Sequence, residues 1–124
     1  MKQPENQPKS SLQTYTEKRP WGSFERFTQN EPSTVKIITV NAGEELSLQY
    51  HFKRSEFWKI LSGNPMITVG DKIIQAHEGG EFFELAKEKH RIQAGKSEVR
   101  ILEIAFGQFE EGDIVRLEDK YGRK

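Results

Sequence analysis

From Tyr15 onward the chain alternates polar and apolar residues with a period of two, and no ten-residue window keeps the 3.6-residue stripe of an amphipathic helix. Such a chain buries its apolar side chains by pleating. The runs SFERFT, STVKIITV, LSLQYHF, EFWKILSG, PMITVG, DKIIQA, GEFFEL, HRIQA and EVRILEIAFG are each bounded by Gly, Pro, Asn or Asp, the residues that supply turn dihedrals. Phe, Val, Ile and Thr fill them, as a half-buried pleated surface prefers. ELAKEKHR comes nearest to a helical pattern and is too short. Evenly spaced short strands predict an all-β sandwich, barrel or jelly roll.

The first fourteen residues, MKQPENQPKSSLQT, fall outside the pattern. Only Met1 and Leu12 are apolar there, too few to offset the entropy of ordering. A disordered polar arm over 1–14 and one domain over 15–124 are expected. Lys plus Arg number 19 and Asp plus Glu number 19, so net charge supplies no drive towards nucleic acid or anionic lipid. The absence of cysteine excludes disulfides, thiolate zinc sites and cysteine nucleophiles. No apolar run approaches a membrane-spanning length and no stretch reads as a signal peptide. The expectation is a cytoplasmic protein with neither nucleic acid nor membrane as a partner.

Chemistry concentrates in LSLQYHF. Alternation puts Ser47, Gln49 and His51 on one face and Leu46, Leu48 and Tyr50 on the other. Glu56 follows in the next run and His90 opens HRIQA. Two imidazoles, a carboxylate and a carboxamide oxygen form a donor set suited to zinc, or to manganese, iron, cobalt or nickel. The spacing equally allows buried polar groups that simply satisfy one another. His77, in QAHEGG, reads as a solvated loop residue. Trp21, in RPWGSFE, reads as a packing anchor, and IVRLEDKYGRK as a surface tail laced with weak ion pairs.

Taken together, RPWGSFE, VKIITVNAGEELSLQYHFKRSEFWKILSG, KHRI and GDIVRLEDKYGR resemble the cupin domain of type II mannose-6-phosphate isomerases, which also forms the C-terminal part of bifunctional mannose-1-phosphate guanylyltransferases. The likeness covers about residues 19 to 123, with the blocks in the same order and spacing; no guanylyltransferase domain is recognisable in this chain. It implies a cupin jelly-roll β-barrel with one divalent metal ion, zinc first, held inside one mouth by Gln49, His51, Glu56 and His90. By the same likeness Lys36 and Ser47 hold the substrate phosphate, Arg54 is a catalytic basic residue, and Asp113 and Arg116 line the pocket.

The implied reaction interconverts mannose 6-phosphate and fructose 6-phosphate through a cis-enediol, with Glu103 of ILEIAF a candidate base if it faces inward. A phosphosugar substrate, a role in polysaccharide biosynthesis and a homodimer using Tyr50, Phe82 or Phe83 follow as expectations. The alternatives are a non-catalytic sugar-binding or regulatory cupin, and a cupin enzyme on another sugar phosphate or nucleotide sugar. Two blocks depart from the family. The family's H-H-H-R-A-E-H reads His51-Phe52-Lys53-Arg54-Ser55-Glu56-Phe57 here, and Leu85 and Lys87 replace the usual Pro and Gly before His90. Both departures alter the pocket rim and the turn that presents His90.

Overall fold

A computed structural model describes residues 12–123. Among the described residues, eleven strands form three antiparallel sheets: β1 (Tyr15–Arg19), β2 (Gly22–Arg26), β3 (Ser33–Val40), β4 (Leu48–Tyr50), β5 (Arg54–Ser62), β6 (Met66–Val69), β7 (Lys72–Gln75), β8 (Glu81–Glu84), β9 (His90–Gln93), β10 (Val99–Gly107) and β11 (Val115–Glu118). The order β3-β10-β5-β8 makes one wall of the barrel and β11-β4-β9-β6-β7 the other, while β1 and β2 pair as a separate hairpin. Strands that are sequence neighbours repeatedly lie apart in a sheet, the jelly-roll connectivity expected from the evenly spaced runs.

Alternation decides what each wall faces. Val40, Trp58, Ile60, Ile67, Ile92, Val99 and Ile101 meet between the two large sheets, with Leu46 and Phe82 packed at the margin. The opposite face of the four-stranded sheet carries a second cluster, Phe57, Ile104 and Phe106, covered by Phe27, Phe83 and Leu12. Thus β5 and β10 are buried on both faces, and Phe82 and Phe83 of β8 pack on opposite sides of the same sheet. Leu12 of the expected polar arm packs against this second cluster; residues 1–11 of that arm lie outside the described residues.

Several local expectations are corrected. Trp21 is 73% exposed because Pro20 and Trp21 form the turn between β1 and β2, where Arg19 pairs with Gly22 and side chains project away from the sheet. The segment from Val115 is a strand, β11, rather than a tail. Leu46 packs on the barrel core, so the alternation of this block begins only at Ser47. Phe82 and Phe83 are spent on the two core clusters and Tyr50 lies edge-on to Phe52 at 5.3 Å, whereas Val35 and Ile37 of edge strand β3 and Ile73 and Ile74 of edge strand β7 are exposed. His77 is exposed as expected and touches the Asn64 side chain.

Candidate metal centre

His51, Glu56 and His90 converge in the barrel although they come from both large sheets. His51 immediately follows β4, His90 opens β9, and Glu56 lies on β5. All three are buried, and their ligand atoms lie within 4.8 Å of one another. His51 Nε2 is 3.7 Å from Glu56 Oε2, and His90 Nε2 is 3.2 Å from Glu56 Oε1. The two imidazole rings are 5.1 Å apart, and Trp58 stands edge-on to His90 at 5.3 Å, so the apolar core forms the floor of the site.

Each imidazole is oriented by a backbone carbonyl. His51 Nδ1 lies 2.5 Å from the Asp113 carbonyl oxygen, and His90 Nδ1 lies 3.0 Å from that of Glu88. A nitrogen facing a carbonyl carries its proton there, so in the neutral form of either ring Nε2 is the lone pair, turned towards Glu56. His90 Nε2 and Glu56 Oε1 are buried without hydrogen-bond partners. Two such atoms facing each other at 3.2 Å are held together by a proton or by a cation. A zinc ion about 2.1 Å from each ligand spaces tetrahedral donor atoms about 3.4 Å apart, close to the separations here. The residues therefore fit a divalent ion.

Arg54 supplies the nearest fixed positive charge. Its Nε donates to Glu56 Oε2 at 3.0 Å, Nη2 approaches His51 Nε2 at 3.2 Å, and Nη1 donates to the Glu110 carbonyl at 3.1 Å. The Phe109 ring lies under the guanidinium, 4.3 Å from its carbon to the ring centroid. Burial pushes the Glu56 carboxyl up, but His90, His51 and Arg54 outweigh it and hold it down to about 2. Burial lowers the proton affinity of His51, and the neighbouring Arg54 and His90 add to this against Glu56 and the Asp113 carbonyl. A neutral His51 beside an ionised Glu56 is the protonation pattern that a metal site needs.

The remaining expected residues surround this centre in two groups. Gln49 stands opposite His90 on one side and opposite Arg116 on the other, so the three share one face of the sheet across β9, β4 and β11. Its Oε1 accepts the Ser47 hydroxyl at 2.6 Å, and Ser47 is fully buried. On the other wall Glu103 faces inward. Its Oε2 accepts the Trp58 indole N–H at 3.0 Å, and Lys36 Nζ lies 3.5 Å from Oε1. Burial and Glu56 raise the proton affinity of Glu103 against Trp58, Lys36 and Arg54.

Asp113 stands behind the ligand loop, where its carboxylate accepts the backbone N–H groups of Phe52 at 3.0 Å and Lys53 at 2.9 Å. Lys36 and Ser47 lie on different elements, each in contact with one of these groups. Phe109 and Glu84 did not emerge from the sequence pattern. Phe109 lies in an irregular loop, and Glu84 follows two consecutive phenylalanines that hide which face of the strand is interior.

The turn before His90 shows how the departure at Lys87 is absorbed. Lys87 takes φ +70°, the left-handed conformation that favours glycine. It is held there by its N–H to the His51 carbonyl at 2.6 Å and by the Glu88 N–H to the Leu85 carbonyl at 3.1 Å. Replacement of the glycine keeps the turn and ties it to the His51 backbone.

Comparison with known proteins places these features. The family described as "Mannose-6-phosphate isomerase C-terminal" matches residues 6–119. The xanthan biosynthesis protein XanB of Xanthomonas campestris pv. campestris is 37% identical over 107 residues, covering 85% of this chain and 23% of that protein. The alginate biosynthesis protein AlgA of Pseudomonas aeruginosa is 39% identical, and the mannose-1-phosphate guanylyltransferase ManC of Salmonella typhimurium 35%, each over 107 residues, 85% of this chain and 22% of that protein. The chain thus spans less than a quarter of the length of these relatives.

Among solved structures, a cupin protein from Bacteroides fragilis is similar at TM-score 0.56 and 26% identity, covering 63% of this chain and 70% of that one. Oxalate decarboxylase from Bacillus subtilis reaches TM-score 0.63 at 22% identity over 68% of this chain and 24% of that one, a likeness of fold alone. Sequence match, barrel and inward-facing His-Glu-His cluster agree: this chain is a cupin domain of the mannose-6-phosphate isomerase C-terminal family.

Proposed function

We propose that the domain is a metal-dependent sugar-phosphate isomerase that interconverts mannose 6-phosphate and fructose 6-phosphate. The observation that carries the proposal is the pair of backbone-oriented imidazoles facing an ionised Glu56 inside the barrel. His51, Glu56, His90 and the carboxamide of Gln49 would hold one divalent ion, with zinc the first choice for so imidazole-rich a set. When bound, such an ion polarises carbonyl and hydroxyl oxygens and stabilises developing negative charge.

The chain's own residues supply the remainder. Glu103, inward-facing and raised in proton affinity, removes the proton from C2 of the open-chain aldose and returns it to C1. The proton lost by the C2 hydroxyl balances the one gained by the C1 oxygen, so the cis-enediol collapses to the ketose with no net change. Arg54 and Arg116 hold the charge of the intermediate, while Lys36 and Ser47 tether the phosphate away from the reacting carbons. Asp113 fixes the ligand loop rather than touching the sugar, since backbone N–H groups occupy both its carboxylate oxygens. Cytoplasmic location, a role in polysaccharide synthesis and a homodimer through the exposed β3 edge at Val35 and Ile37 belong to the same proposal.

The test is a coupled isomerase assay on protein reconstituted with zinc, manganese or cobalt, comparing wild type with His51→Ala and Arg116→Ala. Turnover that vanishes in both variants is the expected result. A metal-loaded wild type that binds hexose phosphates without converting any of them would replace the enzyme by a sugar-binding module.

A further inference from the structure

Three carboxyl groups line the inner face of the four-stranded sheet, and their surroundings are unequal. Glu56 is matched by Arg54 and the two imidazoles. Glu103 is matched by the Trp58 N–H and by Lys36. Glu84, on β8, is completely buried, and neither of its oxygens has a hydrogen-bond partner among the described residues. It is directly opposite Glu56 in the β5–β8 pairing. Directly opposed residues of an antiparallel pair project to the same face with Cβ atoms about 4.5–5.5 Å apart. Glu84 therefore points into the barrel beside the carboxylate of the metal centre.

Packing does not explain this residue. Phe82, the neighbour two positions earlier on the same face, packs against the apolar core, and a leucine at 84 would do the same. An unsatisfied buried polar group costs about 1–3 kcal/mol, and an unpaired buried charge more. Two orphaned carboxylate oxygens at Glu84, one at Glu56 Oε1 and the lone pair of His90 Nε2 make four buried acceptors in one part of the barrel. Arg54 donates to the other Glu56 oxygen and is hydrogen-bonded to none of these four atoms, and acceptors so placed suit a cation.

We propose that Glu84 is a second carboxylate of the metal centre: it stands beside Glu56, just outside the three residues whose ligand atoms already lie within 4.8 Å of one another, and turns onto a divalent ion when His51, Glu56 and His90 bind one. The inference rests on the metal-binding reading above and deepens it, because it changes the ion the site prefers. A second anionic oxygen makes the donor set harder, raising affinity for manganese or iron relative to zinc. Burial drives the Glu84 carboxyl well above the ordinary range, with Glu56, Glu103 and Glu88 adding to the effect. A cation is what would draw it into the ionised form.

The experiment titrates the metal-stripped full chain with Mn²⁺ and, separately, with Zn²⁺, using wild type, Glu84→Leu, Glu84→Gln and the surface control Glu81→Gln. Melting of the metal-free proteins is followed in parallel, and the Mn²⁺ EPR spectrum of each loaded protein is recorded. The expected result is a 10- to 100-fold loss of Mn²⁺ affinity in both Glu84 variants, roughly the scale on which metal-site residues act. The Zn²⁺ loss should be smaller, the EPR spectrum changed, and Glu81→Gln like wild type. Because leucine removes an unsatisfied group, metal-free Glu84→Leu should melt no lower than wild type; the near-isosteric glutamine carries the test if leucine disturbs folding. A Glu84→Leu or Glu84→Gln protein that binds Mn²⁺ as wild type does would overturn the inference and leave Glu84 a protonated core residue. His90→Ala separates the two readings: wild-type affinity retained in His90→Ala sinks the metal centre itself.

Discussion

Asp113 grips the His51 segment at two levels. Its carbonyl oxygen receives His51 Nδ1 and its carboxylate receives the N–H groups of the two following residues. One residue thus fixes both the proton position on the ring and the path of the backbone that carries it. Asp113→Ala keeps the carbonyl but releases the backbone clamp. We predict a fall of about 10-fold in metal affinity, the usual scale for residues that orient a metal ligand. Isothermal titration with Zn²⁺ checks this, and an unchanged affinity with an unchanged fold contradicts it.

Arg54 and a metal ion would compete for the same atoms, because the guanidinium already engages Glu56 Oε2 and His51 Nε2. Removing one partner of a buried pair costs about 3–5 kcal/mol. Arg54→Leu should therefore lower metal-free stability by roughly 3 kcal/mol. A divalent ion should then stabilise the variant more than it stabilises wild type, by taking over the compensation of Glu56. Thermal melting with and without Zn²⁺ reads both effects, and equal metal-induced shifts in the two proteins would count against the competition.

The pH dependence of metal-free stability should carry the mark of Glu84. Its proton affinity is raised in the folded protein, whereas in the unfolded chain the group ionises near 4.5. Above that pH the unfolded chain has lost a proton that the folded chain still holds, so stability falls as pH rises towards the raised value. The slope is about 1.4 kcal/mol per pH unit. Glu56 acts in the opposite sense: its stabilisation is present above 4.5 and is lost as pH falls towards about 2. The stability advantage of Glu84→Gln over wild type should therefore grow from pH 4.5 upward. Urea denaturation of both proteins between pH 4.5 and 8 measures it, and a pH-independent difference would be the wrong outcome.

Lys87 carries a left-handed backbone on a residue with a Cβ. Lys87→Gly removes that penalty and should stabilise the protein by about 1 kcal/mol, partly offset by the greater freedom of glycine in the unfolded chain. Retention of the Leu85–Glu88 turn should leave metal affinity unchanged. Chemical denaturation beside a metal titration separates the two quantities; a destabilised variant would show that Lys87 holds the turn through its side chain.

The all-β class was legible because alternation has a period that no helix shares, and the shared face of Gln49 and His51 because they fall two apart at the β4 end. Their convergence with His90 was not written in the spacing, since it depends on β4 pairing with β9 across thirty-odd intervening residues. Glu84 escaped for a related reason. Phe82 and Phe83 serve different cores on opposite faces of one wall, and burial on both faces erases the alternation that would mark Glu84 as interior. Trp21 misled because apolar size suggests packing, while its position in a two-residue turn gives the side chain nothing to pack against. β1, with its charged YTEKR, did not stand out because its hairpin lies outside the two-walled barrel.

The joint between the two walls has one further consequence. β4 and β9 are neighbours within one wall, paired at Gln49 and His90 and, just before β4, by the Leu46 N–H to the Ile92 carbonyl, whereas the two walls face each other here through His51 and His90 on one side and Glu56 on the other. An ion at that position would act as a clasp between the two walls. Amide hydrogens of β4 and β9 should exchange faster than those of β5 and β10, and should slow selectively when the clasp is fastened. The same ion that supplies chemistry to the mouth of the barrel would then also set how often that mouth opens.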